Sequence, residues 1–205
     1  MKYNIKDIIE AIKRLADNFD KINIMEVCGT HTANIQKYGI PSILPDNIRL
    51  ISGPGCPVCV TSQEDISRAV SIADKDDVIF TCFGDMMRVP CGNKSLYSLR
   101  EGGSDIRIVT SPMDALQISL ENPQKQVVYF GIGFETTAPH TAALIEEAYK
   151  QNIKNISVLN SHKTMPPAIT SLLKNKCGID ALLCPGHVAV ITGSDAFSFI
   201  PEKLK

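Results

Sequence analysis

The stretch that decides the fold is residues 48–73, which reads IRLISGPGCPVCVTSQEDISRAVSIA. Its first part, 48–52, is an apolar run that predicts a strand, and its last part carries apolar residues on one face of a helix. Overlapping capping-box patterns that start at Thr61 and Ser62 mark the beginning of that helix. The glycines, prolines and cysteines of residues 53–59 therefore lie between a strand and a helix.

The same alternation of strand and helix continues in both directions along the chain. Apolar residues at helical spacing predict helices over about 4–19 and 139–150. Short apolar runs bounded by glycine, proline or serine predict further strands at 22–27, 78–83, 106–109, 127–130, 156–159 and 181–184. This alternation is typical of mostly parallel sheets covered by helices, so the predicted class is α/β.

We expect the chain to form two Rossmann-like α/β units that face a cleft. The predicted division places residues 1–45 and 126–205 in one discontinuous unit and residues 46–125 in the second. Ligands of such sheets bind beyond the carboxyl ends of the strands, at a switch point or between units. The unusual residues of this chain cluster at those ends, which is the structural reason to consider them functional.

Composition narrows the class of protein. The 205 residues include 21 Lys and Arg against 22 Asp and Glu, a net charge of -1. This balance argues against a nucleic-acid-binding surface and against a polybasic membrane patch. The N-terminus has no apolar signal core, and no apolar run reaches about 18 residues. We therefore expect a cytoplasmic protein with no nucleic acid and no membrane contact, in which thiols are reduced.

Seven cysteines in such a compartment are more typical of metal binding or catalysis than of disulfides. Cys56 and Cys59 form a Cys-x-x-Cys beside a predicted helix start, where the helix dipole favours thiolates. The spacing allows a reversible disulfide or two-point metal ligation, and a tight turn with two buried cysteines is the alternative. A common zinc site has two such pairs, so a structural zinc site is poorly supported.

A second motif, EVCGTH at 26–31, places Cys28 where a strand ends and a helix begins, with Thr30 as the candidate cap. His31 could ligate a metal, donate a hydrogen bond to a sulfur ligand or activate the thiol. A structural cysteine that happens to lie near a histidine is the alternative. Because Cys56 and Cys59 follow the next strand, three sulfurs at two strand ends could converge on one ion.

Carboxylates and histidines follow other strands. Glu135 and Asp85 lie just beyond buried strands, and each is either a loop residue or a site residue. Glu135 belongs to GIGFETTAP at 131–139, whose glycines and proline are explained by a turn onto a helix without any ligand. His162 and His187 follow the last two strands and could face the cleft. The remaining cysteines are expected to be packing or incidental residues: Cys82, Cys91, Cys177 and Cys184.

Taken together, these motifs resemble those of a known family, the hydrogenase maturation factors HypD. The matching motifs are CGTH at 28–31, GPGCPVC at 53–59, FGDMMRVP at 83–90, GFETTAP at 133–139 and PGHV at 185–188. They occur in the family order and span nearly the whole chain.

The resemblance implies a [NiFe]-hydrogenase maturation factor. It would be an iron-binding scaffold that, with the small chaperone HypC, assembles the Fe(CN)2CO group, with HypE supplying the cyanide ligands. Cys28 would be the key iron ligand, shared with the terminal cysteine of HypC. Cys56 and Cys59 would be a redox dithiol and further candidate ligands, and His31 and Glu135 would line the same cleft. Thiolates are soft donors that suit iron carrying cyanide and carbon monoxide.

This chain departs from the family pattern in two ways. HypD proteins continue into a segment whose cysteines bind a [4Fe-4S] cluster, and those ligands are absent here, so we expect a C-terminally truncated member. Cys91 stands where the family is expected to have a glycine, and it is assigned no role. Two other functions stay open: a thiol-disulfide oxidoreductase that uses Cys56 and Cys59, and an inactive truncated fragment.

Overall fold

The computed structural model describes residues 4–174 and 178–203. Within them the strands are β1 (Ile22–Glu26), β2 (Ile48–Ser52), β3 (Val78–Cys82), β4 (Ile106–Ile108), β5 (Gln126–Gly133), β6 (Ile156–His162) and β7 (Ala181–Leu183). The helices are α1 (Ile5–Ala16), α2 (Gly29–Lys37), α3 (Pro57–Val60), α4 (Gln63–Ala73), α5 (Leu96–Glu101), α6 (Pro112–Glu121), α7 (Ala138–Lys150), α8 (Met165–Lys174), α9 (Gly186–Thr192) and α10 (Phe199–Lys203). None of these described helices is long and apolar enough to cross a membrane.

The chain divides into two compact units, Met1–Cys56 with Met165–Lys205, and Pro57–Thr164. The first unit contains a parallel sheet of order β2-β1-β7, and the second contains a parallel sheet of order β4-β3-β5-β6. Helices flank both sheets, which confirms the predicted α/β class.

The observed division differs from the predicted one, which placed boundaries near residues 46 and 126. The reason is strand pairing. β2 pairs with β1, so it belongs with the N-terminal strand and not with β3. β5 pairs with β3, so it belongs with the middle of the chain and not with β7.

β1 is the central strand of the first sheet. Its last residue, Glu26, is in register with Ser52 of β2 and with Leu183 of β7. Because the three strands are parallel, their carboxyl ends meet at one edge of the sheet. The segments that begin at Cys28, Gly53 and Cys184 all leave the sheet at that edge.

The second sheet is buried on both faces. Side chains alternate between the faces of a strand, so Phe80 and Phe130 pack towards α4 and α5, while Ile79 and Tyr129 pack towards α6 and α7. Every residue of β3 is buried, as is typical of a strand in a covered parallel sheet. This packing fixes the loops that leave the carboxyl edge of the sheet.

β5 is longer than the sequence predicts. Gly131 and Gly133 were expected in a turn, and this prediction is wrong, because they pair with Asn160 and His162 of β6. The helix start at 139 is close to the observed one, since Pro139 lies in the first turn of α7.

Candidate functional site

Cys28 stands at the junction of β1 and α2. It has an extended backbone (φ -152°, ψ 125°) and occupies the N-cap of α2 without a side-chain capping bond. Its carbonyl accepts hydrogen bonds from the backbone N–H groups of His31 (2.9 Å) and Thr32 (3.2 Å). The prediction that Thr30 caps this helix is wrong, because Thr30 lies inside α2. The half-buried Cys28 side chain therefore lies at the point where β1 ends and α2 begins.

The glycines that follow β2 pack directly against this junction. A Cβ at Gly55 would lie 2.6 Å from Cys28 Cα, and one at Gly53 would lie 2.9 Å from the carbonyl oxygen of Glu26. Real Cβ atoms do not approach other atoms so closely, so glycine is required at both positions. Gly55 contacts the Cys28 backbone, and the half-buried Cys56 is the next residue along the chain.

Glu26 is a buried carboxylate beside Cys28. Its side chain is 3% exposed, and its Oε1 accepts hydrogen bonds from Ser52 Oγ (3.1 Å) and Thr32 Oγ1 (3.3 Å). Oε2 is also buried and has no hydrogen-bond partner among the described residues. Burying a carboxylate is costly unless it is hydrogen-bonded. Glu26 therefore holds β2 and α2 against the end of β1.

His31 is half-buried in the first turn of α2. It lines a mostly apolar cavity of about 310 Å³ in the first unit, together with Ile35, Leu182 and Cys184. Its Nδ1 is buried without a hydrogen-bond partner among the residues described. Burial raises the pKa of the Cys184 thiol, which favours the neutral form and fits the packing role predicted for it.

Cys59 belongs to the second unit, because the boundary between the units falls between Cys56 and Pro57. It is exposed on the short helix α3. Val58 anchors this helix by packing against the apolar core on the α4 face of the sheet. Thr61 Oγ1 donates a hydrogen bond to the carbonyl of Pro57 (2.9 Å), which closes the helix.

The start of α4 is tied to the end of β6. Ser62 caps α4, because its Oγ accepts a hydrogen bond from the Asp65 backbone N–H (3.1 Å). Of the two overlapping capping-box patterns in the sequence, the one that starts at Ser62 therefore forms the cap. The Asp65 carboxylate accepts hydrogen bonds from Ser161 Oγ (2.6 Å) and Lys163 Nζ (3.0 Å). These bonds, first that from Ser161, lower the pKa of Asp65 to about 2, so the carboxylate is ionised at neutral pH.

Glu135 is half-buried in the turn between β5 and α7. Thr137 Oγ1 donates hydrogen bonds to the carbonyls of Phe134 (3.1 Å) and Ile132 (3.3 Å), which closes this turn. The backbone N–H of Lys163 donates to the carbonyl of Gly133 (2.9 Å). Hydrogen bonds from Thr137 and Lys163 thus fix the end of β5, from which the chain continues to Glu135.

The two other histidines differ in environment. His162 ends β6, and its Nδ1 lies 2.6 Å from Asn160 Oδ1, while Nε2 is buried and lacks a hydrogen-bond partner among the described residues. Burial lowers the pKa of His162, so its neutral form is favoured. His187 is exposed on α9 of the first unit.

The remaining predicted residues are placed as follows. Asp85 is exposed in the turn after β3. Cys82 is fully buried, and burial raises its pKa to about 12, which removes it as a thiolate at neutral pH. Cys91 is half-buried in a short antiparallel bridge with Lys94. Cys177 lies outside the described residues.

Comparison with known proteins decides the family. The model of the HypD family, described as "Hydrogenase formation hypA family", matches residues 3–205. The chain belongs to the HypD family. The resemblance seen in its motifs is confirmed.

Curated HypD proteins align over nearly all of this chain. "Hydrogenase maturation factor HypD" of Escherichia coli (strain K12) is 45% identical over 202 residues, covering 96% of this chain and 54% of that protein. The proteins of the same name from Rhodobacter capsulatus and Azotobacter vinelandii are 41% and 42% identical, covering 96% and 92% of this chain and 54% and 52% of theirs. The chain therefore spans about half the length of the curated relatives it matches.

The HypD cysteines are divided between the two units. Cys28 and Cys56 belong to the first unit, and Cys59 belongs to the second. Across residues 4–174 and 178–203, no group of three or more His, Cys, Asp or Glu side chains is arranged to hold a metal ion. A site in which all three sulfurs bind one ion stays a prediction.

The motifs of this HypD chain do not indicate the structural roles of two carboxylates, Glu26 and Asp65. The sequence shows Glu26 only as a charged residue at the end of an apolar strand, and that interruption was the available signal. Asp65 was predicted only as part of a helix cap, and nothing in the local pattern indicates its bonds to Ser161 and Lys163.

Proposed function

We propose that this chain acts in the maturation of [NiFe]-hydrogenase, as an iron-binding scaffold that assembles the Fe(CN)2CO group with HypC. The observation that supports this role is the contact between the Gly55 and Cys28 backbones, which brings Cys56 and Cys28 to one edge of the first sheet. The names of the relatives support a role in hydrogenase maturation. Because those relatives are about twice as long, the full set of their activities is not carried over.

In this proposal the iron is cargo, and Cys28 is its main ligand. Thiolate sulfur is a soft, strong donor, which suits iron that carries cyanide and carbon monoxide. The terminal cysteine of HypC supplies a further sulfur, and the diatomic ligands fill other positions. This chain therefore needs to supply only one or two donors, and Cys56 is the second candidate.

Cys56 and Cys59 act as a dithiol near the iron. Cys59 is exposed, so a partner that delivers cyanide, such as HypE, can reach it. By thiol-disulfide exchange with an external disulfide, the pair can close to its own disulfide while the external disulfide is reduced to two thiols, and the reverse exchange restores the dithiol. His31 lies in the first turn of α2, and Glu135 lies in the turn after β5. We assign both to the same reaction as polar groups.

The test is anaerobic co-purification of the chain with HypC, followed by infrared spectroscopy of the complex. We expect cyanide and carbonyl bands with the wild-type chain and their loss with Cys28→Ala. Cys91→Ala is the matched control, because Cys91 is also half-buried and has no assigned role. Full bands with Cys28→Ala would show that Cys28 is not the iron ligand.

The exposure of Cys59 also favours a second function, a thiol-disulfide oxidoreductase that acts without iron. Such an enzyme would reduce insulin disulfides catalytically, and the activity would disappear with Cys56→Ser and with Cys59→Ser. A wild-type chain that shows no turnover in this assay would exclude it.

A further inference from the structure

We propose that Asp65, Ser161 and Lys163 form a clamp that positions the helix carrying Cys59. The inference rests on the proposed function in one respect, since it treats Cys59 as a working thiol. None of the three clamp residues is a candidate ligand, and each acts through its neighbours.

A short stretch of chain links Cys59 to Asp65. Cys59 lies in α3, and only Thr61 and Ser62 separate α3 from α4. Thr61 closes α3 by its bond to Pro57, and Ser62 caps α4 by its bond to Asp65. Any shift of Asp65 therefore moves the start of α4 and, through two residues, the end of α3.

Asp65 is also bonded to a distant part of the chain. Asp65 is bonded to Ser161 and Lys163, which lie 96 and 98 residues further along the chain. The Ser161 side chain is buried, and those of Asp65 and Lys163 are 15% and 36% exposed. A hydrogen bond to an ionised carboxylate is stronger than one between neutral groups, and the buried Ser161 hydroxyl supplies the bond that is shielded from water. The clamp therefore fixes α4 to one point on β6.

Lys163 connects the clamp to the segment of Glu135. The Lys163 side chain holds Asp65, while its backbone N–H holds the carbonyl of Gly133. Gly133 ends β5, and Glu135 follows two residues later. Lys163 is thus the residue through which the segments of Cys59 and Glu135 are tied together inside the second unit.

The experiment measures the rate at which iodoacetamide alkylates Cys59 in the fully reduced chain, followed by mass spectrometry. We expect Asp65→Asn and Lys163→Met each to raise this rate by about threefold or more, because a less tightly held α3 opens more readily and exposes its thiol. Lys163→Arg keeps the charge, so the rate should stay close to wild type. The double variant Asp65→Asn/Lys163→Met should change the rate no more than Asp65→Asn alone, because that change already removes the carboxylate with which Lys163 pairs.

Asp105→Asn is the matched control. Asp105 also pairs with two cations, Arg107 (2.8 Å) and Lys125 (3.1 Å), and its side chain is 27% exposed. It directly precedes β4, which is one edge strand of the sheet, whereas the clamp lies at β6, the other edge strand. We expect this variant to lose stability while Cys59 reacts at the wild-type rate.

The clamp is overturned if Cys59 is alkylated at the wild-type rate in both Asp65→Asn and Lys163→Met. It is also overturned if Asp105→Asn changes the alkylation rate as much as these two variants do. Should Asp65→Asn not fold, Ser161→Ala replaces it, since that change keeps the ion pair and should give a smaller shift in the same direction. An unchanged rate in Ser161→Ala and Lys163→Met also overturns the clamp. The assay needs neither iron nor HypC, so missing infrared bands in the wild type would overturn the proposed function and leave these rates unaffected.

Discussion

The Glu26 side chain is the residue near Cys28 whose loss should cost most stability. Its carboxylate is the buried acceptor for the hydroxyl groups of Ser52 and Thr32. We expect Glu26→Ala to lower the free energy of unfolding by about 1–3 kcal/mol, because the hydrogen bonds that Ser52 and Thr32 donate to the carboxylate are lost. Glu26→Gln keeps an acceptor oxygen and should cost less. Urea unfolding of the three proteins measures the difference.

Glu10→Ala serves as the control for this prediction, since Glu10 is exposed on α1 and should change stability by about 0.5 kcal/mol or less. If Glu26→Ala is no less stable than Glu10→Ala, the carboxylate does not hold β1, β2 and α2 together.

Single residues show where prediction from the sequence stops. A charged residue at the end of a strand usually faces water, so the interruption of the apolar run at Glu26 does not by itself indicate burial. β1 lies between β2 and β7, however, and this central position buries Glu26. The sequence correctly placed Cys28 at a strand end, because local apolar periodicity determines where the strand stops.

Asp65 should make the stability of the chain dependent on acid pH. Its hydrogen bonds with Ser161 and Lys163 lower its pKa from 3.8 to about 2 in the folded state. The folded state therefore binds a proton less readily than the unfolded state, and stability is lost as pH falls from about 4 to about 2. Unfolding free energies measured across this range should fall less steeply for Asp65→Asn. Equal slopes for the two proteins would contradict the depressed pKa.

Among the structural elements, the turn from β5 to α7 depends on Gly133. Its φ is +133°, which side-chain-bearing residues rarely adopt, and a Cβ there would overlap Thr137 Oγ1. Gly103 also has a positive φ, +106°, but a Cβ there would meet no atom within 4 Å. We expect Gly103→Ala to cost about 1 kcal/mol from backbone strain alone, and Gly133→Ala to cost about 3 kcal/mol because it adds the overlap. Equal losses in denaturant unfolding would mean that Thr137 moves aside without cost.

The length of β5 shows how pairing overrides local preference. Gly131 and Gly133 are poor strand residues, so the sequence predicted that the strand ends at 130. Pairing with β6 carries the strand to Gly133. A Cβ at Gly131 would lie 3.0 Å from the His162 ring, so glycine at this position also makes room for the histidine.

For the whole molecule, the sequence predicted the class of fold but not the division into units. Alternating strands and helices predict parallel sheets, and the structure confirms them. The order of strands within a sheet depends on long-range pairing that no local pattern records. This is why the predicted ranges place β2 and β5 in the wrong units, and why they keep Cys56 and Cys59 in the same unit.

The two units should differ in local stability. Both clusters of buried apolar side chains consist of residues of the second unit, and they cover the two faces of its sheet. In the first unit, apolar residues on α1 and α9 are largely exposed, among them Leu15 (64%) and Val190 (86%). Regions with few buried apolar contacts open more readily, so their amides exchange with solvent faster.

Hydrogen exchange on the intact chain, followed by mass spectrometry, tests this difference. We expect peptides from β3 and β5 to exchange at least about tenfold more slowly than peptides from β1, because a difference of about 1.4 kcal/mol in opening free energy gives that factor. β1 is a central strand in its sheet, as β3 and β5 are in theirs, so sheet position does not explain the contrast. Exchange from β1 as slow as that from β3 would mean that the first unit is held by interactions other than apolar burial, and the Glu26 network would be the first to examine.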